Sequence, residues 1–212
     1  MGCYTKPYMN ASFSLIDLGI FIISLLIAMT VHEAMHAYVG LKLGDTTAEE
    51  QGRISLNPLR HIDPVYTIAL PIITYLLFQA PVLAAKPVPF NPFRVRYGEW
   101  GAAMIALAGP LSNFALAFVA SVILRVVGIQ SFAGYALAQF LELNVLLFIF
   151  NLIPIPPLDG SRVLFAFAPE PLQDLMRQIE PYGMYIVFGL VLLGGFGGWL
   201  GSLNQMVLQL LL

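Results

Sequence analysis

Three residues within five positions carry the strongest chemical signal in this chain. The segment Thr30-Val31-His32-Glu33-Ala34-Met35-His36-Ala37 contains the pattern H-E-x-x-H. On a helix, residues four apart lie one turn apart on the same face. Two imidazoles so placed can ligate one zinc ion, and the intervening Glu33 is close enough to act as a base toward water there. His32 and His36 are two of only three histidines in the chain. They sit toward the end of a strongly apolar segment, where an ionisable group such as Glu33 is costly to bury and usually functional.

A catalytic zinc usually takes three protein ligands. The remaining candidates are His61, in the polar stretch Asn57–Pro64; Glu49 and Glu50, in an ordinary solvated loop; and Asp159, in Asn151-Leu-Ile-Pro-Ile-Pro-Pro-Leu-Asp159-Gly160. Asp159 is the better choice. It follows an apolar segment that prolines interrupt, and irregular backbone near membrane depth is tolerated only where it is buried in protein or lines a watery cavity. Two neutral imidazoles and one carboxylate leave a zinc site at about +1, which Glu33 brings near neutrality.

The rest of the chain must position these groups inside a bilayer. Of 212 residues, 58% are hydrophobic and 10% are charged, against about a quarter charged in a soluble domain. The composition predicts an all-α polytopic membrane protein, one domain over residues 1–212, with about five or six spans at roughly 20 residues each. A net charge of −2 gives no electrostatic case for a nucleic-acid partner. The lone Cys3 cannot pair within the chain. The first apolar segment reads as a retained span rather than a cleaved signal peptide.

Apolar segments run from about Phe13 to Leu43, Gly101 to Val127 and Tyr135 to Ile153. The tail, about Tyr182 to Leu212, is broken by glycines at 194, 195, 197 and 198 and reads as two short spans. Pro154–Pro181 reads as a polar loop. Lys86–Tyr97 is too proline-rich for a helix and reads as extended chain or edge strand. With Gln51–Asn57, it could offer a membrane-associated edge to an unwound substrate.

His36 and Asp159 can meet only if an even number of crossings separates them. The proline-broken stretch from Val65 to Ala85 is therefore expected to enter and return. That arrangement gathers Lys42, Arg53, Arg60, Lys86, Arg94, Arg96, Arg162 and Arg177 on one face, leaving Lys6 and Arg125 on the other. The positive-inside rule then puts the metal near the cytosolic face of a cell membrane, with the N-terminus outside. Asn113 and Asn144, both within apolar segments, read as packing hydrogen bonds between helices or as lining of a water path.

H-E-x-x-H in one span and N-x-x-P-x-P-P-L-D-G after a later one resemble the site-2 proteases, intramembrane zinc metalloproteases. Gly52-Arg-Ile-Ser-Leu-Asn-Pro58, Lys86-Pro-Val-Pro89 and Ala108-Gly-Pro-Leu-Ser-Asn113 extend the resemblance from about Ser24 to Leu164. It implies that His32, His36 and Asp159 bind one zinc, that Glu33 activates water, and that Asn151 holds the substrate backbone. It implies a membrane-protein substrate cleaved in or near a transmembrane helix. Larger relatives append PDZ or nucleotide-sensing domains, for which this chain has no room. Competing readings are a transporter or metal-handling protein with a buried ion path, for which internal repeats are expected and none is seen, and a non-proteolytic zinc-binding relative, which would have no need of Glu33.

Overall fold

The computed structural model describes residues 14–61, 91, 93–192 and 195–212. Helix α1 spans Leu15–Lys42. Its start is fixed by a capping box: Asp17 N donates to Ser14 Oγ at 3.2 Å and Ser14 N donates to Asp17 Oδ2 at 3.1 Å, which satisfies two amide groups that a helix end leaves open. A single turn, α2, follows at Thr47–Glu50. Helix α3 spans Glu99–Val127 and α4 spans Phe132–Asn151. These three long helices are long and apolar enough to cross a membrane. Ile23, Phe118, Val119, Val126 and many other large apolar side chains on them are exposed, as lipid-facing surfaces require.

Helices α3 and α4 form a hairpin. Ser131 Oγ caps α4 by accepting from Gly134 N at 3.0 Å, and a Cβ at Gly134 would sit 1.9 Å from Gly128 O, so only glycine permits so tight a turn. Helix α1 runs beside both. Its N-terminal Asp17 accepts from Tyr135 Oη at 2.7 Å at the start of α4. At its other end Leu43 O accepts from Arg96 N at 2.9 Å, just before α3. Chain direction therefore alternates α1–α3–α4, and the C-termini of α1 and α4 share one end with the N-terminus of α3. Buried Ser24, Ala28, Ala34, Ala37 and Gly40 on α1 face an α3 whose buried set is dominated by alanine and glycine. Small side chains let the two backbones approach closely, which is how helices pack where lipid supplies no hydrophobic drive.

After α4 the chain forms α5 (Asp159–Phe167), α6 (Glu170–Ile179), α7 (Gly183–Leu192) and α8 (Gly195–Leu211). Leu208 and Leu211 of α8 pack with Leu141 and Val145 of α4 and with Ala117, Ala120 and Leu124 of α3. Arg125 Nη2 donates to Leu211 O at 2.8 Å, so α8 ends at the far end, away from the C-terminus of α1.

Several expectations are corrected here. The polar stretch 154–181 is not a loop but holds α5 and α6, because Asp159 and Glu170 each start a helix just after prolines have ended the previous element. Among the described residues there is no strand: 51–57 and 93–97 are turns and irregular chain. Among the described residues, three helices are long and apolar enough to cross a membrane. In the tail the described helices are α7, of 10 residues, and α8, of 17 residues; the junction between them, 193–194, lies outside the described residues. The stretch 65–85, expected to be re-entrant, lies outside the described residues.

Candidate metal centre

His32 and His36 project from the C-terminal half of α1, and both are buried. Their Nε2 atoms lie 2.9 Å apart. Asp159, the first residue of α5, is brought against them: its Oδ2 is 3.2 Å from His32 Nε2 and 3.3 Å from His36 Nε2. Among the described residues, these three form the one group of His, Cys, Asp or Glu side chains arranged to hold a metal ion. A tetrahedral ion with ligand bonds of about 2.0–2.1 Å spaces its donor atoms about 3.3 Å apart, so the observed separations suit such an ion.

The far side of each ring shows which nitrogen carries its proton. His36 Nδ1 lies 2.7 Å from the carbonyl oxygen of Ile105, which can only accept. His36 Nδ1 therefore donates, and in the neutral imidazole, the form that ligates a metal, Nε2 keeps its lone pair. His32 Nδ1 lies 2.6 Å from Asn113 Oδ1, with the same consequence. Asp159 Oδ2 is buried and accepts no hydrogen bond. Three lone-pair atoms thus converge with no proton donor among them, a donor set that fits a cation.

Two backbone features make room for the cluster. A Cβ at Gly109 would lie 2.4 Å from His36 Nε2 and 2.6 Å from His32 Nε2, so α3 passes directly against the imidazoles where it has no side chain. Next to it, Pro110 cannot donate to the carbonyl four residues back, and its ring crowds that turn. At the other wall, a Cβ at Gly160 would lie 2.1 Å from Leu152 O. The chain between α4 and α5 folds closely over this glycine and turns Asp159 back toward α1.

Other candidates fall elsewhere. His61 is buried, but its Nε2 lies 2.7 Å from Ser55 O and it does not join the cluster. Glu50 pairs with Arg94 at 3.0 Å on the surface. Glu33 is buried in the same turn as the histidines. Asn151 is the last residue of α4, and its Nδ2 donates to Leu147 O at 3.0 Å. The sequence reading missed the direct contacts of Ile105, Gly109 and Asn113 with the histidines. Their spacing of four along one helix was the available signal, since it puts all three on one face of α3.

Membrane-length apolar helices enclosing a His, His and Asp cluster within an H-E-x-x-H helix define a membrane-embedded metallopeptidase-type scaffold. Comparison with known proteins agrees. The model of peptidase family M50 matches residues 128–194, which include Asn151 and Asp159. The chain is 37% identical over 189 residues to "Putative zinc metalloprotease YwhC" of Bacillus subtilis, covering 84% of this chain and 83% of that one. It is 28% identical over 193 residues to the similarly named Rip2 of Mycolicibacterium smegmatis, covering 85% and 71%. It is 33% identical over 151 residues to the similarly named MJ0611 of Methanocaldococcus jannaschii, covering 68% and 70%. The chain belongs to peptidase family M50, the site-2 protease family. No solved structure matches the chain.

Proposed function

We propose that this chain is an intramembrane zinc metalloendopeptidase that hydrolyses peptide bonds in or near a transmembrane helix of a membrane-protein substrate. The observation that carries this is the convergence of His32 Nε2, His36 Nε2 and Asp159 Oδ2 within 3.3 Å of one another, with both Nδ1 atoms committed elsewhere. These three residues would hold one zinc ion. When bound, the ion lowers the pKa of water toward about 7 and polarises a carbonyl.

Glu33 is the general base. It accepts the proton of the attacking water and returns it to the leaving amine. Asn151, at the end of α4, holds the substrate backbone. The buried setting of His32, Glu33 and His36 screens poorly the charges that develop during hydrolysis, so fixed donors there count for more.

Orientation follows from charge. Lys42, Arg53, Arg60, Arg94, Arg96, Arg162 and Arg177 lie at or beyond the site end of the helices, and Arg125 lies at the other. By the positive-inside rule the centre is near the cytosolic face of a multi-pass cell-membrane protein.

The test compares wild type with Glu33→Gln for bound zinc and for cleavage of a co-expressed single-span substrate. Retained zinc with cleavage reduced at least ~100-fold is expected for loss of a general base. Cleavage that survives Glu33→Gln refutes the mechanism. Zinc-loaded wild type that cleaves no membrane substrate favours a non-proteolytic metal protein.

A further inference from the structure

We infer that Asn144 is a positioning residue for the metal centre, holding the Asn113 amide in the single orientation that leaves His32 Nε2 free to ligate. This rests on the metal-site reading above.

An asparagine amide has two ends of nearly equal shape and opposite hydrogen-bonding character. Asn113 and Asn144 are both completely buried, at 0% exposure, so water cannot correct a wrong choice. As it stands, Asn113 Oδ1 faces His32 Nδ1 at 2.6 Å. Were the amide reversed, its NH2 would face the ring. His32 Nδ1 would have to accept, the ring proton would move to Nε2, and the site would lose a ligand.

What prevents reversal is on the neighbouring helices. Asn113 Nδ2 donates to Asn144 Oδ1 at 3.0 Å and, at a longer 3.3 Å, to Ala28 O. Asn144 is oriented in turn because its Nδ2 donates to Phe140 O at 2.8 Å, one turn back along α4. A backbone carbonyl can only accept. The direction of the whole series, from His32 through Asn113 and Asn144 to Phe140 O, is therefore set by the backbone of α4, with the longer bond to Ala28 O of α1 acting in the same sense. His36 takes its tautomer from the Ile105 carbonyl directly. Both rings thus obtain the same protonation pattern, one from a carbonyl at first hand and one through two amides.

The experiment measures zinc affinity of the purified full chain in detergent by chelator competition, and the visible spectrum of the Co2+-loaded protein. Asn144→Leu removes the acceptor and keeps the branched shape, with a larger side chain. It should weaken zinc about tenfold, the low end for loss of an outer partner, while the helical content of the zinc-free protein stays near wild type and its thermal midpoint falls as expected for lost buried hydrogen bonds. Asn144→Asp should restore affinity to within about threefold. A protonated carboxyl there has a C=O that accepts from Asn113 and an O–H that donates to Phe140 O, reproducing both bonds. Should Asn144→Leu not fold, Asn144→Ala makes the same removal with less steric load, and the same loss is expected. A folded Leu or Ala variant with zinc affinity and Co2+ spectrum equal to wild type overturns the inference. If His32→Ala also leaves zinc affinity unchanged, it is the metal site itself that fails, and the inference goes with it.

Discussion

His32 Nε2 and His36 Nε2 face each other at 2.9 Å, and the outer nitrogen of each ring already donates to an acceptor. Two lone pairs do not rest that close in a buried site unless a proton or a metal cation lies between or beside them. Removing the metal should therefore cost folding stability as well as activity. A ligand that binds only the folded state at a concentration 100 times its dissociation constant contributes about 2.7 kcal/mol. Thermal unfolding in detergent should show a lower midpoint after chelation, restored by one equivalent of Zn2+ but not by Mg2+, which prefers oxygen ligands. An unchanged midpoint would mean that the cluster holds no structural charge.

Asp159 and His61 make opposite predictions for the third ligand. Asp159 Oδ2 reaches both imidazoles within 3.3 Å, whereas His61 Nε2 is engaged at Ser55 O. Asp159→Ala should lower zinc affinity by more than the roughly 10–100-fold typical of an outer-partner loss. His61→Ala should leave it within about twofold, with any cost appearing in stability because a buried hydrogen bond is lost. Equal zinc loss in both variants, measured by chelator competition, would remove Asp159 from the ligand set.

Two glycines on facing helices separate packing from metal binding. A Cβ at Gly109 would fall 2.4 Å from His36 Nε2, while one at Gly40 would meet Ile105 Cδ1 at 3.8 Å, an ordinary contact. In a helix interior, alanine is otherwise favoured over glycine by about 0.5–1 kcal/mol. Gly40→Ala should therefore raise the thermal midpoint slightly and keep zinc. Gly109→Ala should lose zinc and cost about 1–3 kcal/mol as the imidazoles are forced aside. A Gly109→Ala protein that binds zinc normally would show that α3 does not wall the site.

Why some of this was readable in the sequence and some was not follows from range. H-E-x-x-H is local, so helical periodicity alone puts His32 and His36 on one face. Asp159 could be chosen over His61 because prolines after an apolar segment demand a protein-lined cavity, and the structure does bring it to the histidines. The common end of α1, α3 and α4 followed from parity. The interior of 154–181 reads as loop in sequence because α5 and α6 are short, and their helical pattern is diluted by the prolines near their starts. Asn113 was read as packing or water-path lining because its partner is 81 positions away in sequence, and nothing local distinguishes an amide aimed at an imidazole from one aimed at a carbonyl. Gly109 belongs to the Ala108–Asn113 motif, yet its role depends on which helix passes opposite it.

The last prediction concerns the base of the site. Asp45, just beyond α1, is only 2% exposed. Its Oδ1 accepts from Thr47 N at 3.0 Å and Thr47 Oγ1 at 2.5 Å, and its Oδ2 accepts from Asn91 N at 2.6 Å. It thereby ties the chain after α1 to the chain before α3. Burial pushes its pKa up, but these bonds and the nearby Arg94 outweigh burial and hold it below the usual carboxylate value. A carboxyl whose folded pKa is depressed contributes stability that is fully present above the unfolded value of about 3.9 and is lost as pH falls through the folded one. The wild-type midpoint should thus fall on acidification below about pH 4. Asp45→Asn, which cannot carry the charge, should be less stable than wild type by about 1.5–3 kcal/mol at pH 6, the worth of hydrogen bonds to a charged group. That gap should narrow as the wild-type carboxyl protonates. Exposed Glu50 is also held low, by the Thr46 hydroxyl and Arg94, but exposed pairs contribute little, so Glu50→Gln should barely change the profile. A gap between wild type and Asp45→Asn that stays constant from pH 6 to pH 3 would show that the charge of Asp45 does not stabilise this end of the fold.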